Sequence, residues 1–223
     1  MVSPSILFLG KADDAHCQRA LDFCRRHCGT VTACLGHWGA SFPDEARRWG
    51  GDLIVSYLSR WVVPPEVIDA AELAAVNFHP APPEYPGIGC NNFALYDNAA
   101  QYGVTCHHMA AQVDTGPIIA VQRFPVHAAD NVESLLLRTY DVQLVLFYDV
   151  LETILSGRDL PVAQETWQRK PITRAEFNEL GKITRDMSDT EIARRVRATS
   201  YGRWQPTVEL GGYVFKLDPD RTQ

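Results

Sequence analysis

The sequence predicts an α/β fold: a mostly parallel sheet flanked by helices, followed by a small α+β extension that ends in a β-hairpin. Three observations carry this expectation. Short apolar runs alternate with helix-period segments from Ile6 to Phe124, the pattern of βαβ units. Val132 to Leu155 is the longest helical pattern, with Val132, Leu135, Leu136, Thr139, Val142, Leu144, Val145, Tyr148, Leu151 and Ile154 forming a broad face suited to covering a sheet. Beyond Gly157 the composition turns polar, and the chain ends in two apolar runs around Gly211-Gly212, a favoured hairpin turn. Residues 1–157 are therefore expected to form one unit and 158–223 an extension.

Taken in order, Ile6 to Gly10 reads as the first strand. A helix follows between Lys11 and His27, where Ala20, Leu21, Phe23 and Cys24 share a face. Val31 to Leu35 and Leu53 to Tyr57 are the second and third strands, separated by a short helix over Phe42 to Trp49 that Ser41 and Pro43 open. A short helix near Pro65 to Asp69 leads to a fourth strand, Ala74 to Asn77. Asn91 to Asn98 reads as a helix, and Val104 to Met109 and Ile118 to Phe124 as strands, all expected to join a parallel sheet. Between those last strands, Val113-Asp114-Thr115-Gly116 is a tight loop. Arg158 to Pro171 reads as an extended connector, and Thr173 to Leu180 and Ser188 to Ala198 as short helices, the second opened by the capping-box spacing Ser188…Glu191. The terminal hairpin, Thr207 to Leu217, is marginal alone and is expected to dock, plausibly in a subunit contact.

Composition excludes several classes. With 223 residues, 46% hydrophobic and 22% charged, the chain is ordinary globular protein. A net charge of −6 argues against a nucleic-acid binder, and Arg194-Arg195-x-Arg197 reads as a solvated helix face. No apolar stretch is long enough to span a membrane, and Met1 to Ser5 lacks the basic start of a signal peptide. The six cysteines are not a disulfide framework in a chain of this length, and Cys17, Cys24 and Cys28 follow one helical stripe without a zinc spacing. A reduced, cytoplasmic protein without a metal is expected. The first strand–helix turn has no G-x-G-x-x-G, so dinucleotide binding is not supported.

One stretch stands out chemically. Asn77 and His79 are two residues apart at a strand end, so both side chains face the same way. Pro80, Pro82, Pro83 and Pro86 then force a rigid loop. Asp114 lies thirty-five residues after His79 in a glycine-closed loop. A carboxamide, an imidazole and a carboxylate together suit transfer of an acyl carbon to an amine. The first two can donate to an oxyanion, and the third can hold the imidazole and draw off a proton. No nucleophilic serine motif is present, and a substrate amine would supply the nucleophile.

The ordered set Asn77-x-His79-Pro80, the Pro/Tyr/Gly loop through Gly87, Gly103-Val104-Thr105-Cys106-His107 and Asp114-Thr115-Gly116 resembles the folate-dependent formyltransferases, over roughly Leu53 to Ile154. The resemblance implies a Rossmann-like fold, Asn77, His79 and Asp114 as the catalytic set, and 10-formyltetrahydrofolate as the one-carbon donor. It places the pterin pocket between Arg60, Trp61, Val62 and Val63 and the segment of Ala110, Gln112 and Val113, with His107 beside the centre and His108, facing the other way, at the surface. Trp61 could equally be a core or rim aromatic. Tyr85 could touch the acceptor or staple the loop.

Pro86-Gly87-Ile88-Gly89-Cys90-Asn91-Asn92-Phe93, the Arg169-Lys170-Pro171-Ile172-Thr173 run and the terminal hairpin look most like the sugar N-formyltransferases. That likeness implies a nucleotide-linked 4-amino-4,6-dideoxy sugar as acceptor, and a homodimer. Tyr85, Gly87, Asn91, His107, Tyr201, Arg203 and Trp204 are the candidates for acceptor binding, although the tail aromatics could simply bury the hairpin. Glycinamide ribonucleotide, hydroxyornithine and methionyl-tRNA remain open as acceptors. So do a formate-releasing hydrolase and a folate- or nucleotide-binding module without activity.

Overall fold

The computed structural model describes residues 3–202 and 204–218. Strands β1 (Ile6–Lys11), β2 (Val31–Gly36), β3 (Gly51–Tyr57), β4 (Ala71–His79), β5 (Gln101–His108) and β6 (Ile118–Pro125) form one sheet in the order β2-β1-β3-β4-β5-β6. The first four pair in parallel, whereas β4–β5 and β5–β6 are antiparallel. The sheet is mostly parallel, as expected, and its parallel run stops at β4. The connection from β4 to β5 carries only the short helix α4 (Cys90–Tyr96), and the chain re-enters the sheet antiparallel to β4. The connection from β5 to β6 has no helix at all.

Helix α1 (Ala15–His27) starts four residues later than the apolar pattern suggested, because Asp14 caps it by accepting from the His16 and Cys17 N–H groups while Lys11 still belongs to β1. Two short helices, α2 (Asp44–Arg47) and α3 (Pro65–Ile68), complete the first half. Helix α5 (Val132–Leu155) covers the sheet over its expected span, opened by the reciprocal Asn131/Ser134 capping box. Its inner face also takes in Leu146, Phe147, Val150 and Leu155, and it departs from the pattern in polarity at two neighbouring positions. Val145 is exposed, and Gln143 is fully buried, donating its Nε2 to the Phe78 carbonyl at 2.5 Å. Strand alternation divides the core. Phe8, Val55, Tyr57, Val76 and Phe78 meet α1 and α5 through Phe147, while Leu7, Leu9, Ile54 and Ala75 pack on Val63 and Val67 across the other face.

The extension holds α6 (Arg174–Leu180), α7 (Asp189–Thr199) and a three-stranded sheet of β7 (Lys182–Ile183), β8 (Thr207–Leu210) and β9 (Tyr213–Lys216). The two-residue β7 had no sequence signal. Helix α7 docks on α4: Asn92 Nδ2 donates to Ala198 O at 2.6 Å and the Tyr96 hydroxyl to Glu191 at 2.8 Å. This corrects the reading of the Arg194–Arg197 run as solvated. Arg194 lies over the Tyr96 ring and donates to its carbonyl, Arg195 donates to Glu191, and Arg197 to the Asp130 carbonyl. Acceptors on α4 and in the loop before α5 meet Arg194 and Arg197, whereas Arg195 is held by Glu191 of its own helix and by the carbonyls of Glu179, Leu180 and Lys182.

The connector is extended, as its composition suggested, but it is laced to the first unit. Ala163 N–H donates to Ile118 O at 2.9 Å, Gln168 N–H to Pro83 O at 3.0 Å and Ile172 N–H to Pro86 O at 2.9 Å.

Candidate active site

The end of β4 presents Asn77 and His79 on one face, and β5 runs beside it with His107 opposite Asn77 and Thr105 opposite His79. Asn77 Nδ2 lies 3.0 Å from His107 Nε2. His107 Nδ1 faces the His108 carbonyl at 2.8 Å, so that nitrogen carries a proton. The β5–β6 loop then turns Asp114 back onto both rings, with Oδ2 3.3 Å from His79 Nδ1 and Oδ1 3.4 Å from His107 Nε2. Two backbone features make that turn. Asp114 adopts the left-handed region at φ 49, a strained setting for a residue with a side chain. Gly116 is required because a Cβ there would stand 1.8 Å from the His108 carbonyl oxygen.

The centre is buried. His79 and Asp114 are each 4% exposed, so a strand end and a loop both deliver their side chains to the interior. Burial pushes the Asp114 carboxyl up, but the charge of His79, the hydrogen bond and charge of His107 and the Gly87 N–H together outweigh it and hold the carboxyl below its usual range. That N–H donates to Asp114 Oδ2 at 2.8 Å, and Gly87 can present it because, at φ 92, it packs directly on the Ile172 backbone. His108 is half-buried and its pKa is lowered, first by burial and then by His107.

Two clefts open on this centre, and Asp114 lines both. The narrow one, about 60 Å³, lies between Trp61, Val62, Val63 and Ile68 on one wall and Met109, Ala110, Gln112 and Val113 on the other, with Asn77 and His107 at its base. The wide one, about 640 Å³, runs from Asp114 along Gln112 and Thr115 to the connector residues Trp167 to Pro171.

Of the other residues singled out from sequence, Arg60 stacks over the Trp38 ring at 4.6 Å and does not line the narrow cleft. Trp61 is fastened by its indole N–H to the Ala40 carbonyl at 2.9 Å and packs edge-on to Phe42. The Tyr85 ring is buried against Tyr102, and it is the Tyr85 carbonyl that reaches His79 Nε2, at 3.0 Å. Asn91 reaches the Val132 carbonyl at 3.5 Å. Tyr201 and Trp204 pair through their backbones and line neither cleft. Arg203 lies outside the described residues.

Sequence reasoning missed Trp167. Its ring meets both imidazoles edge-on, at 5.8 Å from His79 and 5.0 Å from His107, and its Nε1–H donates to the Gly116 carbonyl at 2.8 Å. A lone tryptophan in a polar connector was the only available signal. Cys90 was also unassigned. Its thiol donates to the Gly87 carbonyl at 3.2 Å, lies 3.8 Å from His79 Nε2, and is pushed up to about 12 by burial and then by Asp114.

The site thus sets a carboxylate between two imidazoles, beside a carboxamide, with both clefts opening on it. Residues 40–151 match the formyl transferase family. The chain belongs to that family. Among its relatives are methionyl-tRNA formyltransferases of Chlorobium phaeovibrioides, 33% identical over 182 residues (79% of this chain, 54% of the relative), and of Lachnospira eligens, 27% identical over 158 residues (70% and 50%). The chain spans about half the length of these curated relatives. Its fold is shared with a 4-N formyltransferase from Francisella tularensis (TM-score 0.77, 15% identity, 95% of this chain and 96% of that one) and a sugar N-formyltransferase from Shewanella (0.75, 16%, 96% and 96%). It is also shared with an N-formyltransferase from Helicobacter canadensis solved with folinic acid and dTDP-3-aminofucose (0.71, 17%, 95% and 85%).

Proposed function

We propose that this chain is a 10-formyltetrahydrofolate-dependent N-formyltransferase whose acceptor is the primary amine of a nucleotide-linked amino sugar of the 4-amino-4,6-dideoxy type. The observation that carries this most is the position of Asp114 at the floor of both clefts, with Asn77 and His107 beside it. A donor in one cleft and an acceptor in the other would meet at that carboxylate. Family membership and the fold shared with an enzyme holding folinic acid and an amino-sugar nucleotide support both ligand classes.

The narrow cleft suits a pterin in kind. Val62, Val63, Met109 and Val113 offer apolar walls, and residues 110–113 lie outside helix and strand, leaving peptide groups to meet a ring edge. At about 60 Å³ it is tight for a bicyclic ring, and Val62 and Val113, 67% and 46% exposed, stand among its lining residues. The donor supplies an activated formyl carbon; the chain does the rest. The Asn77 amide, 3.0 Å from His107 Nε2, has an N–H available to the oxygen that becomes negative as the amine attacks. His79, held between Asp114 and the Tyr85 carbonyl, presents a ring fixed in orientation beside that oxygen. Asp114 takes the proton from the amine as the new C–N bond forms and returns it to the departing nitrogen.

We place this enzyme in the cytoplasm, as a homodimer joined through the exposed hairpin residues Tyr213 and Phe215, in the building of bacterial surface polysaccharide such as O-antigen. The methionyl-tRNA relatives favour a second reading, formylation of an aminoacyl-tRNA. Both are tested by incubating the protein with 10-formyltetrahydrofolate and nucleotide-linked amino sugars, glycinamide ribonucleotide, hydroxyornithine or methionyl-tRNA. Folate absorbance reports turnover, and mass spectrometry identifies the product. An N-formylated sugar nucleotide is expected. A product from only one of the other amines replaces the acceptor. Formate without formylated product makes the chain a hydrolase, and folate binding without turnover makes it a binding module.

A further inference from the structure

We propose that Arg169 and Lys170 form a phosphate-binding end of the wide cleft, and that they, rather than the tail residues Tyr201, Arg203 and Trp204, hold the diphosphate of the acceptor. This rests on the reading that the acceptor enters by that cleft. The cleft carries charge of both signs: the buried Asp114 carboxylate comes from the β5–β6 loop, and two consecutive cations come from the connector. An acceptor with an amine at one end and a diphosphate at the other matches these charges. Reversed, it would bring its phosphates onto Asp114, where like charges repel. The volume, about 640 Å³, lies within the range of small-molecule sites.

Both cations are available. Elsewhere Arg123 pairs with Glu84 and Glu165, and Arg138 with Asp130. Among the described residues Arg169 and Lys170 form no ion pair; Arg169 only lies over the Phe93 ring at 5.9 Å. The carboxylate whose charge Arg169 feels, Glu176, is occupied by the Thr173 N–H and hydroxyl at 2.7 and 2.8 Å. In a chain of net charge −6, an unneutralised Arg-Lys step facing a cleft is a local reversal of sign.

The pair is also held in place. Hydrogen bonds from Gln168 N–H to Pro83 O and from Ile172 N–H to Pro86 O bracket it, and the Trp167 indole pins the preceding residue to Gly116. Arginine offers a planar fork for two phosphate oxygens and lysine a mobile point charge, a combination suited to adjacent phosphates. The sequence 169–173 that resembles the sugar N-formyltransferases thereby acquires a physical role.

The test uses Arg169→Gln, Lys170→Gln and the double variant, with Arg19→Gln/Arg25→Gln on exposed α1 as a charge-matched control. Binding of dTDP and of inorganic pyrophosphate is measured by calorimetry, and steady-state constants with a dTDP-linked amino sugar. The double variant is expected to weaken both ligands, and to raise the acceptor KM, by about 10- to 100-fold. The KM for 10-formyltetrahydrofolate should not follow. Unchanged dTDP and pyrophosphate binding in a folded double variant overturns the proposal. So does a KM that moves only in Arg203→Gln, which would assign the diphosphate to the tail. If no sugar nucleotide is formylated but pyrophosphate binding still depends on Arg169 and Lys170, the phosphate site stands and the acceptor reading fails. If product forms with unaltered KM, the acceptor reading stands and the phosphate site fails.

Discussion

His79 Nδ1 lies 3.3 Å from Asp114 Oδ2, and the other nitrogen of the same ring lies 3.0 Å from the Tyr85 carbonyl. An imidazole between two acceptors satisfies both only when it carries both protons. The carboxylate that makes this possible comes from a different loop and also serves His107.

Removing members of this group should slow turnover far more than it weakens binding. His79→Asn and Asp114→Asn should lower kcat by about 10²- to 10⁴-fold, and Asn77→Ala by about 10²- to 10³-fold, with smaller changes in KM. The losses should not add, because the residues act on one transition state. Steady-state kinetics on variants whose folding is checked by circular dichroism decide this; near-normal turnover by Asp114→Asn sinks the mechanism.

Asp114 also links the site to acid stability. Its folded pKa lies below the ordinary 3.8, so the ionised form contributes stability above that value, and the contribution is lost as pH falls through the lower folded pKa. Melting temperatures of the parent and Asp114→Asn should differ at neutral pH and converge in strong acid. A constant offset down to the lowest pH would show that the charge is not the stabilising feature.

Trp167 should behave as a positioning residue. Phenylalanine keeps an aromatic edge on the two histidines but loses the bond to Gly116, whereas alanine loses both. We expect about a tenfold fall in kcat for Trp167→Ala and a smaller one for Trp167→Phe, with a shifted pH–rate profile in the first. Equal activity of both variants and the parent would remove that role.

Asp130 anchors the start of α5. Arg138 holds its carboxyl well below the usual carboxylate range, with the His127 N–H and the Ser134 hydroxyl adding two further bonds. Asp130→Ala should cost about 2 kcal/mol at neutral pH, measured by urea denaturation. The loss should shrink in strong acid, since a depressed carboxyl stabilises only while it is ionised. A cost that is the same at every pH would assign the effect to packing.

The hairpin offers a test of assembly. Tyr213 and Phe215, two apart on β9, are 73% and 54% exposed, an apolar face unsuited to water. Tyr213→Glu with Phe215→Glu should convert a dimer to a monomer in light scattering. A monomeric parent protein would refute the subunit contact.

Much of this was legible in the order of residues. Period-two and period-3.6 patterns located the strands of the large sheet and the full span of α5, because those patterns record which face meets the core. Two-residue spacing alone put Asn77 and His79 on one face, and the family motif supplied Asp114 as their partner. Both are local features, written within a few residues.

What only the tertiary structure decided is non-local. Pairing direction in β5 and β6 depended on the path by which each connection re-enters the sheet, which no pattern within the strands records. Gln143 went inward because a carbonyl on β4, sixty-five residues away, needed a donor. Arg194 and Arg197 became part of a docking face because acceptors on other elements, the Tyr96 and Asp130 carbonyls, awaited them. The connector reached the active site, bringing Trp167, Arg169 and Lys170, only because backbone hydrogen bonds tied it to the proline loop. Periodicity reports burial along one element, whereas a partner contributed by a distant element leaves no trace in the segment that receives it.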